Sequence, residues 1–152
     1  MESKVITQVK KNFRDYKIIE KFVAGIVLTG NEIKSLRSYQ ASISEAYIFS
    51  QQQELYITNM HIATYKYSYA INLAQSLDTK RRRKLLLKRK EISRIIRQSK
   101  AKNYTIIPLQ LFFNDRGWAK LEIALAQRLK KYQVKEKIKE RELKIRIDKE
   151  DF

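Results

Sequence analysis

The chain has 152 residues, enough for one domain with a tail and too few for two domains of ordinary size. Lys and Arg number 33 against 16 acidic residues, and the net charge of +17 far exceeds what solubility needs; such a field attracts polyanions, RNA or DNA first among them. The absence of cysteine excludes disulfides and Cys-based zinc sites, and no apolar run approaches the roughly 18 residues of a spanning helix.

Met1 to Lys11 carries no signal-peptide h-region, so the expectation is a soluble, cytoplasmic protein with no membrane partner. The charge is uneven: residues 1–79 hold 9 basic and 7 acidic residues, and residues 80–152 hold 24 and 9. Within the second half, 80–102 carries 12 basic residues against one acidic, which places the polyanion-binding charge there.

In chain order, "YKIIEKFVAGIVL" reads as a strand with Tyr16, Ile18, Phe22, Ala24, Ile26 and Leu28 on one face at period two. Gly25 in mid-strand predicts a bulge or sharp bend of the kind that curls a sheet. Thr29 followed by Glu32 has the form of a capping box, opening a short helix in which Ile33 and Leu36 face inward. "AYIFSQQQELYITNMHI" predicts two strands around a polar Gln51 to Glu54 turn, and residues 63–77 read as a loop.

"DTKRRRKLLLKRKEISRIIRQSK" is the most basic stretch. Wound as a helix from Arg83, it sets Leu85, Ile92, Ile95 and Ile96 against Arg83, Lys90, Arg94 and Arg97. Leu86 and Leu87 would then flank the basic stripe, where they can pack on a ribose or a base edge. The alternative is a helix that starts later, with both leucines tucked into the core. Arg81 to Lys84 forms a four-residue basic run at the helix entry, exposed on this reading.

"YTIIPLQLFFNDRGWAKLEIALA" predicts a hairpin in which Ile107, Leu109, Leu111 and Phe113 alternate, "NDRG" turns, and Ala119, Leu121, Ile123 and Leu125 alternate back. Pro108 suits an edge strand or a strand opening. Trp118, Lys120 and Glu122 share the opposite face, where a Trp beside a Lys can stack a base or simply cover a barrel end. Several antiparallel strands with short inserted helices predict a mostly β fold, a small barrel over 1–126, with a basic tail over 127–152. The tail pairs Glu140 with Lys144 and Glu142 with Arg146 at helical spacing but lacks an apolar seam, which predicts disorder alone and helix on a polyanion.

Catalytic signals are weak. His61 is the only histidine, and Glu20, Glu32, Glu45, Glu54 and Glu122 stand near basic or polar neighbours as surface ion pairs do. The three glycines form no phosphate loop or nucleophile elbow. The expectation is a binding protein with no enzyme activity, cofactor or metal.

"DYKIIEKFVAGIVLTGNEIKSLR", "NMHI", "DTKRRRKLLLKRKEI", "AKLEIALA" and "KIKERE" together resemble, in order and spacing, the SsrA-binding protein family, also called small protein B. The resemblance runs from about Lys10 to Glu142. It implies an oligonucleotide-binding (OB) barrel that holds the tRNA-like domain of transfer-messenger RNA and delivers it, with elongation factor Tu as an indirect partner, to stalled ribosomes. It further implies that the tail enters the empty message channel near the decoding centre of the small subunit.

By the same resemblance the RNA contacts are Lys10, Lys11, Gly25, Glu32, Lys34, Arg37, Asn59, His61, Arg81, Arg83, Lys84, Leu86 and Lys120. The ribosome contacts of the tail are Lys130, Lys131, Tyr132, Lys135, Lys139 and Arg141. Three departures stand out: Val23 replaces the Glu of the usual Phe-Glu-Ala-Gly, Val9 replaces an Asn, and after Tyr132 the chain reads Gln133-Val134-Lys135 where the family has Asp-Lys-Arg, so an acidic residue is lost. A generic ribosome-associated RNA-binding barrel and a peripheral protein on anionic lipid are the competing readings.

Overall fold

A computed structural model of the chain describes residues 4–63 and 79–130. The expected loop over 63–77, apart from Ala63, and the tail from Lys131 onward lie outside the described residues. Strand β1 (Lys4–Gln8) leads into helix α1 (Lys10–Asp15) and strand β2 (Tyr16–Ile26). Helix α2 (Gly30–Arg37) is followed by β3 (Ala41–Ser42), β4 (Tyr47–Gln51), β5 (Glu54–Thr58) and β6 (His61–Ile62). Strand β7 (Arg83–Leu86), helix α3 (Arg89–Lys102), β8 (Thr105–Phe113) and β9 (Ala119–Arg128) complete the described chain.

The main sheet has seven strands in the order β1-β8-β9-β2-β7-β5-β4, all antiparallel, and β3 pairs with β6 separately. Strand β4 returns to lie against β8, and β3 against β1, so the sheet curls on itself as a barrel does. The fold is the mostly antiparallel β architecture with short helices that the strand periodicities predict. β9 continues to Arg128, and the Leu129 N–H donates to the Asp15 carbonyl at 3.0 Å, so the ordered sheet runs slightly past residue 126.

Two bulges decide which side chains face inward. In β2 the register against β9 shifts between Ile18 and Glu20; in β8 it shifts between Pro108 and Gln110. An extra residue on one strand reverses every side chain beyond it. Phe22, Ala24, Leu111, Leu121, Ile123 and Leu125 therefore fill the main core. Tyr16, Ile18, Ile107, Leu109, Ala124 and Ala126 point the other way and form a second apolar cluster with Phe13 of α1.

The single-face reading of β2 and of β8 is thus corrected, and so is the placing of the bulge at Gly25, which pairs regularly with both Leu86 and Lys120. Pro108 stands where β8 has β9 alone as its ladder partner, a local edge of the kind the sequence predicts. β8 lies between β1 and β9, but pairing with β1 stops at Gln110, so a residue without an N–H costs no ladder bond there. The Pro108 carbonyl accepts from the buried Asn12 Nδ2 at 2.7 Å, which fastens α1 over the bulge.

The capping box of α2 forms as expected: Glu32 N–H donates to Thr29 Oγ1 at 3.2 Å, and Thr29 N–H donates to Glu32 Oε1 at 2.9 Å. Leu36 is fully buried and Ile33 half-buried. The basic stretch, by contrast, divides. Arg83–Leu86 is a strand between β2 and β5, and the helix begins at Arg89, presenting Ile92, Ile95 and Ile96 to the core. Period-two alternation wins locally: Arg83 and Leu85 are buried, while Lys84 and Leu86 face outward. The later-starting helix is the correct alternative, although only Leu85 is fully buried, with Leu87 packed at the core margin and Leu86 half exposed.

Candidate nucleic-acid interface

The outer face of β7, β2 and β9, with the turn before β9, carries three exposed apolar side chains, Val23, Leu86 and Trp118. Gly25 sits between Leu86 on one side and Lys120 on the other, and Val23 lies opposite Glu122. A Cβ on Gly25 would stand 3.3 Å from Leu86 Cβ, so the missing side chain is what lets β7 and Leu86 lie close over β2. Val23, Leu86 and Trp118 are 53%, 50% and 60% exposed. Lys120 Nζ lies 5.7 Å from the centre of the Trp118 ring, as a cation–π pair.

Leu86, Trp118 and Lys120 border a cleft of about 390 Å³ that Ile33 and Arg37 of α2 also line. The turn leading into it is set by Asn114, whose Oδ1 accepts from the N–H groups of Arg116 and Trp118 at 3.0 and 2.9 Å, with Gly117 at φ +78°. An exposed indole, two aliphatic side chains and flanking cations offer what a base and its phosphate need: a flat apolar surface and positive charge at its edge.

A second group of expected contacts forms a brace instead. The Arg83 side chain has no exposed surface. Its Nε donates to Glu32 Oε2 at 2.8 Å and its Nη2 to the same carboxylate; Nη1 reaches the Met60 carbonyl at 2.6 Å, and Nη2 the Thr79 carbonyl at 3.1 Å. Arg81 Nη2 takes the other carboxylate oxygen, Glu32 Oε1, at 2.5 Å. One carboxylate therefore caps α2 and anchors two arginines. Burial by itself raises the Glu32 pKa, but the hydrogen bonds from Arg83, Thr29 and Arg81 and the Arg83 charge outweigh it and hold the pKa below the ordinary glutamate value. The expectation that Arg81 to Lys84 is a uniformly exposed basic run is corrected: alternation along β7 turns Arg83 inward, where it joins three segments of chain.

The other expected residues are dispersed. Asn59 occupies the left-handed turn after β5 at φ +59° and its N–H donates to the Lys80 carbonyl at 3.3 Å. His61 Nδ1 is 3.1 Å from Thr79 Oγ1, and both Asn59 and His61 line a cleft of about 260 Å³ with Ser42, Ser44, Glu45 and Lys80. Lys84 and Arg89 share Glu54, at 3.9 and 2.8 Å. Lys10 and Lys11 are exposed in the first turn of α1, which packs on β2 and β8; Lys34 is an exposed side chain of α2. Of the expected tail contacts only Lys130 falls among the described residues, and it is exposed.

Two features escaped the sequence reading. Phe49 and Tyr56 stack across β4 and β5 with ring centres 5.7 Å apart, Tyr47 extends the row, and the Arg82 guanidinium lies 4.4 Å from the Tyr56 ring centre. The signal was the period-two spacing of Tyr47 and Phe49 opposite Tyr56. Strand β1 was also missed, because "KVITQ" is short and its polar residues carry no alternation long enough to read.

Fold and face together define a class: a small, strongly basic antiparallel β protein with an aromatic and cationic surface of the nucleic-acid-binding kind. The SmpB protein family model matches residues 6–151. An SsrA-binding protein of Wolbachia pipientis subsp. Culex pipiens is 44% identical over 138 residues, covering 91% of this chain and 90% of its own. That of Sulfurihydrogenibium sp. is 42% identical over 149 residues, covering 98% and 95%. A solved structure presented as "tmRNA-SmpB: a journey to the center of the bacterial ribosome" contains a chain with 37% identity and a TM-score of 0.61, matched over 78% of this chain and 80% of that one. The chain belongs to the SmpB protein family.

Proposed function

We propose that this protein binds the tRNA-like domain of transfer-messenger RNA and brings it to stalled ribosomes in the cytoplasm, for rescue and tagging of the unfinished peptide. Membership of the SmpB family and a structural relative described with tmRNA and the bacterial ribosome support the reading. The observation that carries it is the exposed Val23, Leu86, Trp118 and Lys120 face around Gly25, on a chain of net charge +17.

The protein acts by shape and charge, without catalysis. Trp118 and Leu86 offer surface to a base or ribose, Lys120 and Arg37 offer charge to phosphates, and the Glu32–Arg83 brace keeps α2 and β7 in register beneath them. Val23 in place of an acidic residue removes a hydrogen-bond acceptor from this face, so recognition there leans on apolar and cationic contact. The tail, with Lys130, Lys131, Tyr132, Lys135, Lys139 and Arg141, enters the empty message channel of the small subunit, and elongation factor Tu takes part through the RNA.

The deciding experiment is a pull-down of the full chain from bacterial lysate with sequencing of the bound RNA, paired with measured affinities for the tRNA-like domain and for ordinary tRNA. Enrichment of transfer-messenger RNA and tighter binding of its tRNA-like domain are expected. Equal binding of both RNAs would leave only a generic RNA-binding barrel.

A further inference from the structure

The largest cleft among those described lies beside the Gly25 face. It measures about 460 Å³ and is lined by Lys4, Arg37, Tyr39, Phe113, Asp115 and Arg116, among others. Tyr39 has an unusual place in it. Helix α2 ends with the Tyr39 N–H bonded to the Leu36 carbonyl at 2.9 Å and the Gln40 N–H bonded to the Ser35 carbonyl at 3.1 Å, with Tyr39 itself at φ +57°. That left-handed position just past a helix is the one glycine ordinarily takes, because a Cβ is penalised there. Here it carries a large ring, and the residue is 52% exposed, so the strain is not offset by burial in the core.

Charge and composition point to the occupant. Lys4, Arg37 and Arg116 form no ion pair among the described residues, while the cleft contributes one carboxylate, Asp115. Two aromatic side chains and an excess of unpaired cations suit a nucleobase stacked on a ring with its phosphate at the rim. The cleft is also continuous with the face already described, since Arg37 and Gly117 line both cavities. We propose that the Tyr39 cleft is a second RNA subsite, which takes an unpaired nucleotide of the same RNA that lies on the Gly25 face. The proposal rests on the RNA-binding reading above.

The test uses the full chain and the tRNA-like domain of transfer-messenger RNA as probe, with wild type, Tyr39→Gly, Tyr39→Phe and Lys120→Ala compared at one salt concentration. Tyr39→Gly relieves the left-handed strain, so its melting temperature should equal or exceed that of wild type, and any lost affinity cannot be unfolding. The expected result is about 5- to 150-fold weaker binding for Tyr39→Gly, the size of one lost base stack, and binding within about 2-fold of wild type for Tyr39→Phe, which keeps the ring's stacking face. Unchanged binding by Tyr39→Gly while Lys120→Ala weakens it would overturn the subsite alone. Equal loss in Tyr39→Phe and Tyr39→Gly would overturn the stack. No binding by wild type would remove the RNA reading and the subsite with it.

Discussion

Arg83 and Glu32 stand 51 positions apart in the chain and meet in the interior, where Arg83 Nε donates to Glu32 Oε2 at 2.8 Å and the arginine side chain has no exposed surface. The same guanidinium ties down the Met60 and Thr79 carbonyls. Removing one partner of such a pair leaves the other buried and uncompensated, at about 3–5 kcal/mol. Arg83→Ala should therefore lower the urea midpoint sharply, while Lys84→Ala, whose charge is partly exposed, should change stability by less than about 1 kcal/mol. Equal, small effects in both melts would remove the brace.

Acid should undo the same contact. The folded pKa of Glu32 is held below its unfolded value, so its stabilisation is complete above about pH 4.3 and is lost as pH falls through the folded pKa. Melting temperatures measured from pH 6 down to pH 2 should fall less steeply for Glu32→Gln, which starts less stable, than for wild type. Parallel curves would mean that other carboxylates carry the acid response.

Binding of the tRNA-like RNA should weaken steeply with salt, by a slope of about 0.7 to 0.9 per phosphate neutralised on a log–log plot. Lys120→Ala should reduce that slope by about one, and Leu86→Ala should weaken binding with the slope unchanged, because it removes apolar contact and no charge. Filter binding from 50 to 300 mM salt distinguishes the two.

Gly25→Ala should cost affinity more than stability. The new Cβ meets Leu86 Cβ at 3.3 Å, so Leu86 or β7 must shift by a few tenths of an ångström, which displaces the exposed face and leaves the core beneath it in place. A melting temperature near wild type with several-fold weaker RNA binding is expected. The reverse pattern would make Gly25 a packing residue only.

Removing residues 131–152 should leave RNA binding within a few-fold and abolish peptide tagging on stalled ribosomes. The cut falls after Lys130 because Leu129 still bonds to the Asp15 carbonyl and belongs to the end of the sheet. Tagging and RNA binding measured in the same truncated protein decide it: tagging that survives, or RNA binding lost together with tagging, would refute separate roles for barrel and tail.

Composition, the capping box at Thr29 and Glu32, the alternation of β9 and the turn at Asn114 to Gly117 were legible in the sequence, because each depends on neighbours a few positions away. Charge segregation toward the second half was equally open to reading, and so was the company of Trp118 and Lys120 on one face, a direct consequence of period two. The bulges in β2 and β8 were not, since one inserted residue is invisible until the partner strand shows two residues facing one; that is why Ile18 and Ile107 lie outside the main core. Arg83 in a run of cations gave no local sign of being buried. Only the meeting of α2, β7 and the segment around Met60 supplies the acceptors that make an interior arginine stable, and only the curl of the sheet brings Tyr39, Phe113 and Lys4 to one cleft. Short-range order is written in residue spacing; burial and adjacency belong to contacts between distant segments, which tertiary packing alone decides.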